Sequence, residues 1–222
     1  MISSSKLLMI YTLFFIGINH LSAQYTTGDF NPTSVVSDGL KAPGRMAVDS
    51  NDNIYAADVI QKSIVKYDSQ GNYLATITTD FSPTSIAIND NDLLFVVDKG
   101  TGNVYIVSEN GDKTLFYAGT TTPNAMVFGL NILYLTYSKE KKVIGLNISG
   151  TIVTDFTYEK FVFPTGIAFD PSNNYLLVAE HGGIGEDMER PGSCSMCWSS
   201  YGPQTAIYAF DLEGNHIRTF GF

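Results

Sequence analysis

With 222 residues, of which 22 are acidic and 13 basic, the chain carries a formal charge of −9 and is long enough for one domain with a sizeable core. An acidic surface of this kind repels phosphate backbones, which argues against nucleic acid as a partner. Only 16% of the residues are charged while 13% are aromatic, a balance that excludes a disordered chain.

The first element is not part of the fold. Residues 1–6 make a short polar, basic start, residues 7–18 ("LLMIYTLFFIGI") are almost wholly apolar, and "NHLSAQ" offers small residues for cleavage after Ala23. This pattern reads as a secretory signal peptide, with a signal anchor as the competing reading. The apolar run falls short of the roughly 20 residues of a comfortable membrane span. Residues 24–222 are therefore expected to be exported, secreted or periplasmic, with no membrane span after signal removal.

Four segments then repeat. "APGRMAVDSNDNIYAADV" begins at Ala42, "SPTSIAINDNDLLFVVDK" at Ser82, "TPNAMVFGLNILYLTYSK" at Thr122 and "FPTGIAFDPSNNYLLVAEH" at Phe163. Their leading prolines, Pro43, Pro83, Pro123 and Pro164, stand 40, 40 and 41 residues apart. A second landmark follows each, at Gly71, Gly111, Gly150 and Gly214. A fixed period near 40 is the signature of a repeat array. Within each repeat the pattern is all strand. "RMAVD", "NIYAADV", "SIVKYDS" and "YLATI" are short β-branched and aromatic runs, separated by "SND" and "SQG" as tight turns. Four short antiparallel strands per repeat describe a propeller blade, whose apolar positions are consumed in packing against neighbouring blades. The fold class expected is all-β, with repeats at about 40–80, 81–120, 121–161 and 162–222.

Pro-x-x-Ile/Met-Ala-Val/Ile/Phe-Asp, then Asn-x-Ile/Leu-Tyr/Phe-Val/Ala-x-Asp, then a strand ending "YDSQGN", resembles the NHL repeat of β-propellers. The first repeat matches through Pro43, Ala47, Asp49, Asn53, Tyr55, Asp58, Tyr67, Asp68 and Gly71. The third is degraded, with Tyr137 in place of the strand-end Asp, and the fourth has Glu180 there. The resemblance implies a six-bladed ring. "TSVVSDGLKAP" before the first repeat looks like a closing blade strand, yet "HIRTFGF" already supplies the last strand of the fourth. One outer strand is surplus in a four-bladed ring, so the expectation is a ring lacking about two repeats, roughly 80 residues at this period.

The fourth repeat is interrupted. Gly150 and Gly214 are 64 residues apart where the period predicts 40, which places an insertion at about 182–204 between the second and third strands. Because blade strands alternate in direction, this loop should emerge on the face that carries the leading prolines, over the channel mouth. Long loops in compact domains are commonly functional. Its Cys194 and Cys197 form C-x-x-C. Trp198 stands where a c-type haem would need His, no second C-x-x-C completes a zinc site, and a local disulfide in an oxidising compartment is the reading retained. Trp198 and Tyr201 read either as an exposed recognition tip or as a seal over the blade edge.

Further candidates on that face are Arg45, Ser85 and Asn124 near the starts of innermost strands, and His181 beside Glu180. Asp58, Asp98 and Glu180 end second strands nearby. A ring of carboxylates could hold a divalent cation such as Ca²⁺, but hydrogen bonding to loop N–H groups is the stronger reading. Two enzyme groups share related architecture. The gluconolactonase-like hydrolases carry a "PNG" metal signature that here reads "PTG" at residues 164–166, with Asn124 in "PNA" a partial match. Amidating lyases of NHL type hold zinc with several His, whereas residues 24–222 contain only His181 and His216. No catalytic residue is assigned and no cofactor is expected. The function expected is a non-catalytic exported propeller that binds a protein, peptide or carbohydrate through Arg45, Asn124, Glu180, His181, Trp198 and Tyr201. The alternative is a metal-dependent propeller enzyme with ligands beyond this chain.

Overall fold

A computed structural model of the chain describes residues 39–180 and 206–220. These fold into sixteen strands with no helix among the described residues. The first blade comprises β1 (Pro43–Val48), β2 (Ile54–Asp58), β3 (Ser63–Tyr67) and β4 (Tyr73–Thr78). The second holds β5 (Pro83–Ile88), β6 (Leu94–Asp98), β7 (Val104–Val107) and β8 (Lys113–Tyr117). The third holds β9 (Ala125–Gly129), β10 (Ile132–Tyr137), β11 (Lys142–Leu146) and β12 (Ile152–Thr157), and the fourth β13 (Pro164–Asp170), β14 (Tyr175–Glu180), β15 (Ala206–Phe210) and β16 (His216–Phe220). Each blade is a four-stranded antiparallel meander in sequence order, so the chain is a β-propeller of four described blades. The innermost strands pack in succession, β1 on β5, β5 on β9 and β9 on β13; β13 and β1 do not pack on each other in this way.

The period-2 alternation of the strands gives every blade two apolar faces, and the faces of neighbours bury each other. Tyr55, Ala57, Ile64 and Ile77 of the first blade meet Ile86, Leu94, Val96 and Val107 of the second. Phe95, Val97 and Val104 meet Leu133, Leu135, Ile144 and Leu146 of the third. Tyr134 and Val143 meet Leu176, Val178, Tyr208 and Phe210 of the fourth, where Tyr158 and Phe161 add a cluster of edge-to-face rings. The core is thus three inter-blade layers, as the repeat pattern predicts.

The periodic glycine has two reasons to be there. In the β3–β4 turn, Asp68 Oδ1 accepts the N–H groups of Gln70 and Asn72 at 2.9 and 2.8 Å, and Asn72 Nδ2 donates back to Oδ2 at 2.7 Å. The same carboxylate lock recurs at Asp211 with Glu213 and Asn215. This turn needs a left-handed fourth residue, and Gly71, Gly111, Gly150 and Gly214 have φ of 85°, 87°, 75° and 91°. The turn also abuts the outer strand of the preceding blade. A Cβ at Gly111 would lie 2.4 Å from the Thr78 carbonyl oxygen, and one at Gly150 2.2 Å from that of Phe116.

Candidate binding face at the proline-led strand ends

Strand register fixes which loops share a face. Pro43 pairs with Asp58 and Asp58 with Ser63; Pro83 pairs with Asp98; Pro164 pairs with Glu180 and Glu180 with Ala206. The two stems of the insertion, Glu180 and Ala206, are therefore register partners at the proline end of the fourth blade, on the side the sequence predicts. His181, Cys194, Cys197, Trp198 and Tyr201 lie outside the described residues.

The strand-end acids brace loops. Asp58 is fully buried and accepts N–H groups from Ala42 at 2.8 Å, Ile60 at 3.1 Å and Gln61 at 2.8 Å, with Lys41 N also donating. Burial alone would raise its carboxyl pKa, but the amide donations from Gln61, Lys41 and Ala42 outweigh that and hold it at about 2. Asp98 accepts Gly100 N and Thr101 Oγ1, both at 2.8 Å. Glu180 accepts Val162 N at 3.1 Å and Phe163 N. These oxygens are engaged with the protein's own donors, and among the described residues no group of three or more His, Cys, Asp or Glu is placed to hold a metal.

The third blade solves the same problem from the other side. Tyr137 has replaced its acid, and Asn124 takes over, its Oδ1 accepting Ser138 N at 3.0 Å and its N–H donating to Thr136 O at 2.8 Å. Ser138 Oγ in turn donates to Pro164 O at 2.5 Å, tying the third blade's loop to the fourth blade's first strand. Asn124, chosen from the sequence as a ligand contact, thus spends its side-chain oxygen on the fold.

Just after the prolines the inner strands bulge, between Pro43 and Met46, Pro83 and Ile86, and Pro164 and Gly166. A bulge re-aims side chains at a strand end. Arg45, in the first of them, extends its guanidinium so that one Nη2 donates to Thr165 O at 3.0 Å and sits 3.5 Å from Asn124 O. One exposed cation therefore gathers strand starts from the first, third and fourth blades. Ser85, in the second bulge, is buried. Its neighbour Thr84, which the sequence reading missed, has a buried Oγ1 without a partner among the described residues. The bulges that aim these groups leave no mark in the alternation pattern. His216 stands on the outer strand β16, its ring stacked on Tyr158 with centroids 4.9 Å apart.

No family model matches the chain, and no curated protein matches it. Solved structures do. Hydrazine synthase of Kuenenia stuttgartiensis is 11% identical with a TM-score of 0.61, the alignment covering 87% of this chain and 53% of that one. A catalytically inactive virginiamycin B lyase from Staphylococcus aureus with quinupristin is 14% identical with a TM-score of 0.59, covering 86% and 58%. A protein of unknown function from Bacteroides caccae is 14% identical with a TM-score of 0.52, covering 81% and 60%. At these identities the likeness is one of fold, and the chain spans between 53% and 60% of the length of those chains. The class is β-propeller.

Proposed function

We propose that the chain is an exported, non-catalytic propeller of NHL-like type that captures a protein, peptide or carbohydrate ligand over its proline-led face. The observation that carries this reading is the juxtaposition of Arg45 with the stems of the insertion. Thr165 O, which receives the guanidinium, adjoins Pro164, the register partner of Glu180. The stems of the longest departure from the repeat and an exposed cation of a net acidic chain thus converge on one strand end. Both Arg45 contacts are made through Nη2. A carboxylate on the ligand would be received by the guanidinium's other N–H groups. Trp198 and Tyr201 of residues 182–204 provide the aromatic part of the contact, stiffened by a Cys194–Cys197 disulfide.

The test is capture on peptide and glycan arrays by the full chain, its Arg45→Ala variant and a Trp198→Ala/Tyr201→Ala variant, each checked for fold by circular dichroism. Loss of capture by about tenfold or more in each variant is expected; undiminished capture by both sinks the reading. A second reading, a metal-dependent enzyme, draws on the lyases among the propellers of like fold. A stoichiometric divalent ion in the purified full chain, by elemental analysis, would favour it over the first.

A further inference from the structure

A net charge conceals a division between the two ends of the blades. At the end away from the prolines, turns join the first strand to the second and the third to the fourth. Among the described residues these turns carry nine acids and no lysine or arginine. Turn chemistry accounts for several of them, since Asp49, Asp68 and Asp211 each accept two main-chain N–H groups of their own turn.

The proline-led end is the reverse. Lys62 stands in the β2–β3 loop, Lys99 in β6–β7, and Lys139 and Lys141 in β10–β11, all exposed. Lys41 and Lys160 lie just ahead of leading prolines and Arg45 just behind one, exposed as well. None of these forms an ion pair among the described residues, whereas Lys66, Lys113 and Lys142 do. The acids at this end do little to neutralise them. Asp58, Asp98 and Glu180 are buried on loop donors and Asp80 pairs with Lys113, which leaves Glu140 and Glu159. Turn chemistry does not explain the lysines. Lys62 and Lys141 take left-handed φ of 51° and 53° at the position where the second blade has Gly102 at 76°. A side chain there costs backbone energy that glycine avoids, so the charge is kept against local preference.

We infer that the ligand of this face is an anionic polysaccharide; the inference rests on the capture reading above and names its ligand class. Lysines are point charges on flexible stems, which answer to charge density rather than to one fixed fork geometry. Here they stand in the corresponding loop of three successive blades, so their spacing follows the blade repeat. A regular row of cations suits a polymer with a charge on each repeating unit, whether uronate or sulfate ester. An acidic peptide, with irregular charge, would meet that row in few registers. Arg45, held through Nη2 by Thr165 O, receives one such group on its remaining N–H donors.

The test is titration of the full chain with polygalacturonate, dextran sulfate, neutral dextran and polyglutamate. At least one of the first two should bind and dextran should not, with affinity falling about tenfold or more between 50 and 200 mM salt. Which of the two binds tells whether carboxylate or sulfate serves. Lys62→Gly/Lys141→Gly should weaken binding by about fivefold or more. Its denaturation midpoint should hold or rise, because glycine relieves both turns. Asp90→Lys, at the far end, shifts net charge in the favourable direction yet should change affinity by less than about twofold. Polyglutamate bound as tightly, or a neutral ligand captured regardless of the lysine pair, would overturn this inference and leave capture at the face standing. No capture of any probe or array ligand would overturn both.

Discussion

A single carboxylate does for the first blade what a hydrophobic contact cannot. Asp58 lies out of water, yet its carboxyl is held at about 2 because four main-chain N–H groups converge on it. The folded carboxyl lies below the usual 3.8, so this stabilisation is complete above about pH 4 and is lost as the pH falls towards 2. It amounts to roughly 2 kcal/mol. Asp58→Asn should cost a similar amount in denaturant unfolding at pH 7 and should flatten the acid limb of the stability profile between pH 4 and 2. An unchanged acid limb would show that the loop is held otherwise. The strand-end acids were legible as braces because their repeat position and residue type agree. Asn124 was not, because "PNA" resembles a ligand motif and its service to Ser138 depends on Tyr137 having displaced the acid 13 residues later. A compensation between two loops has no local signature.

Among the elements, the β3–β4 turn shows why a period is a stronger signal than any strand assigned alone. Its glycine was found as a landmark, without a reason; the reason is a left-handed φ combined with the carbonyl of the preceding blade. Gly150→Ala should therefore cost about 2–4 kcal/mol in chemical denaturation, adding left-handed strain to a clash with Phe116 O. A loss under 1 kcal/mol would mean the apposition is slack. The strand pattern was readable, and so was the blade end at which the stems Glu180 and Ala206 stand, because alternation and register follow from the period-2 geometry of antiparallel chains. The bulges after Pro43, Pro83 and Pro164 were not, and with them went the aim of Arg45 and the presence of Thr84.

At the scale of the molecule, stability is a sum of blades and joints, so it should be graded along the chain. The second and third blades are covered on both faces, the first and fourth fully on one. Amides of β6 and β10 should exchange slowest, and those of β1 and β16 fastest. Uniform protection would contradict the gradation. The glycine turns bear on this larger geometry too. Backbone seated against backbone leaves no slack to be taken up by a side chain, so the wedge between successive blades is set as rigidly as a keystone's. A repeat transplanted into another array would bring its own curvature with it, and lengthening the turn by one residue would spring the arch open at that course.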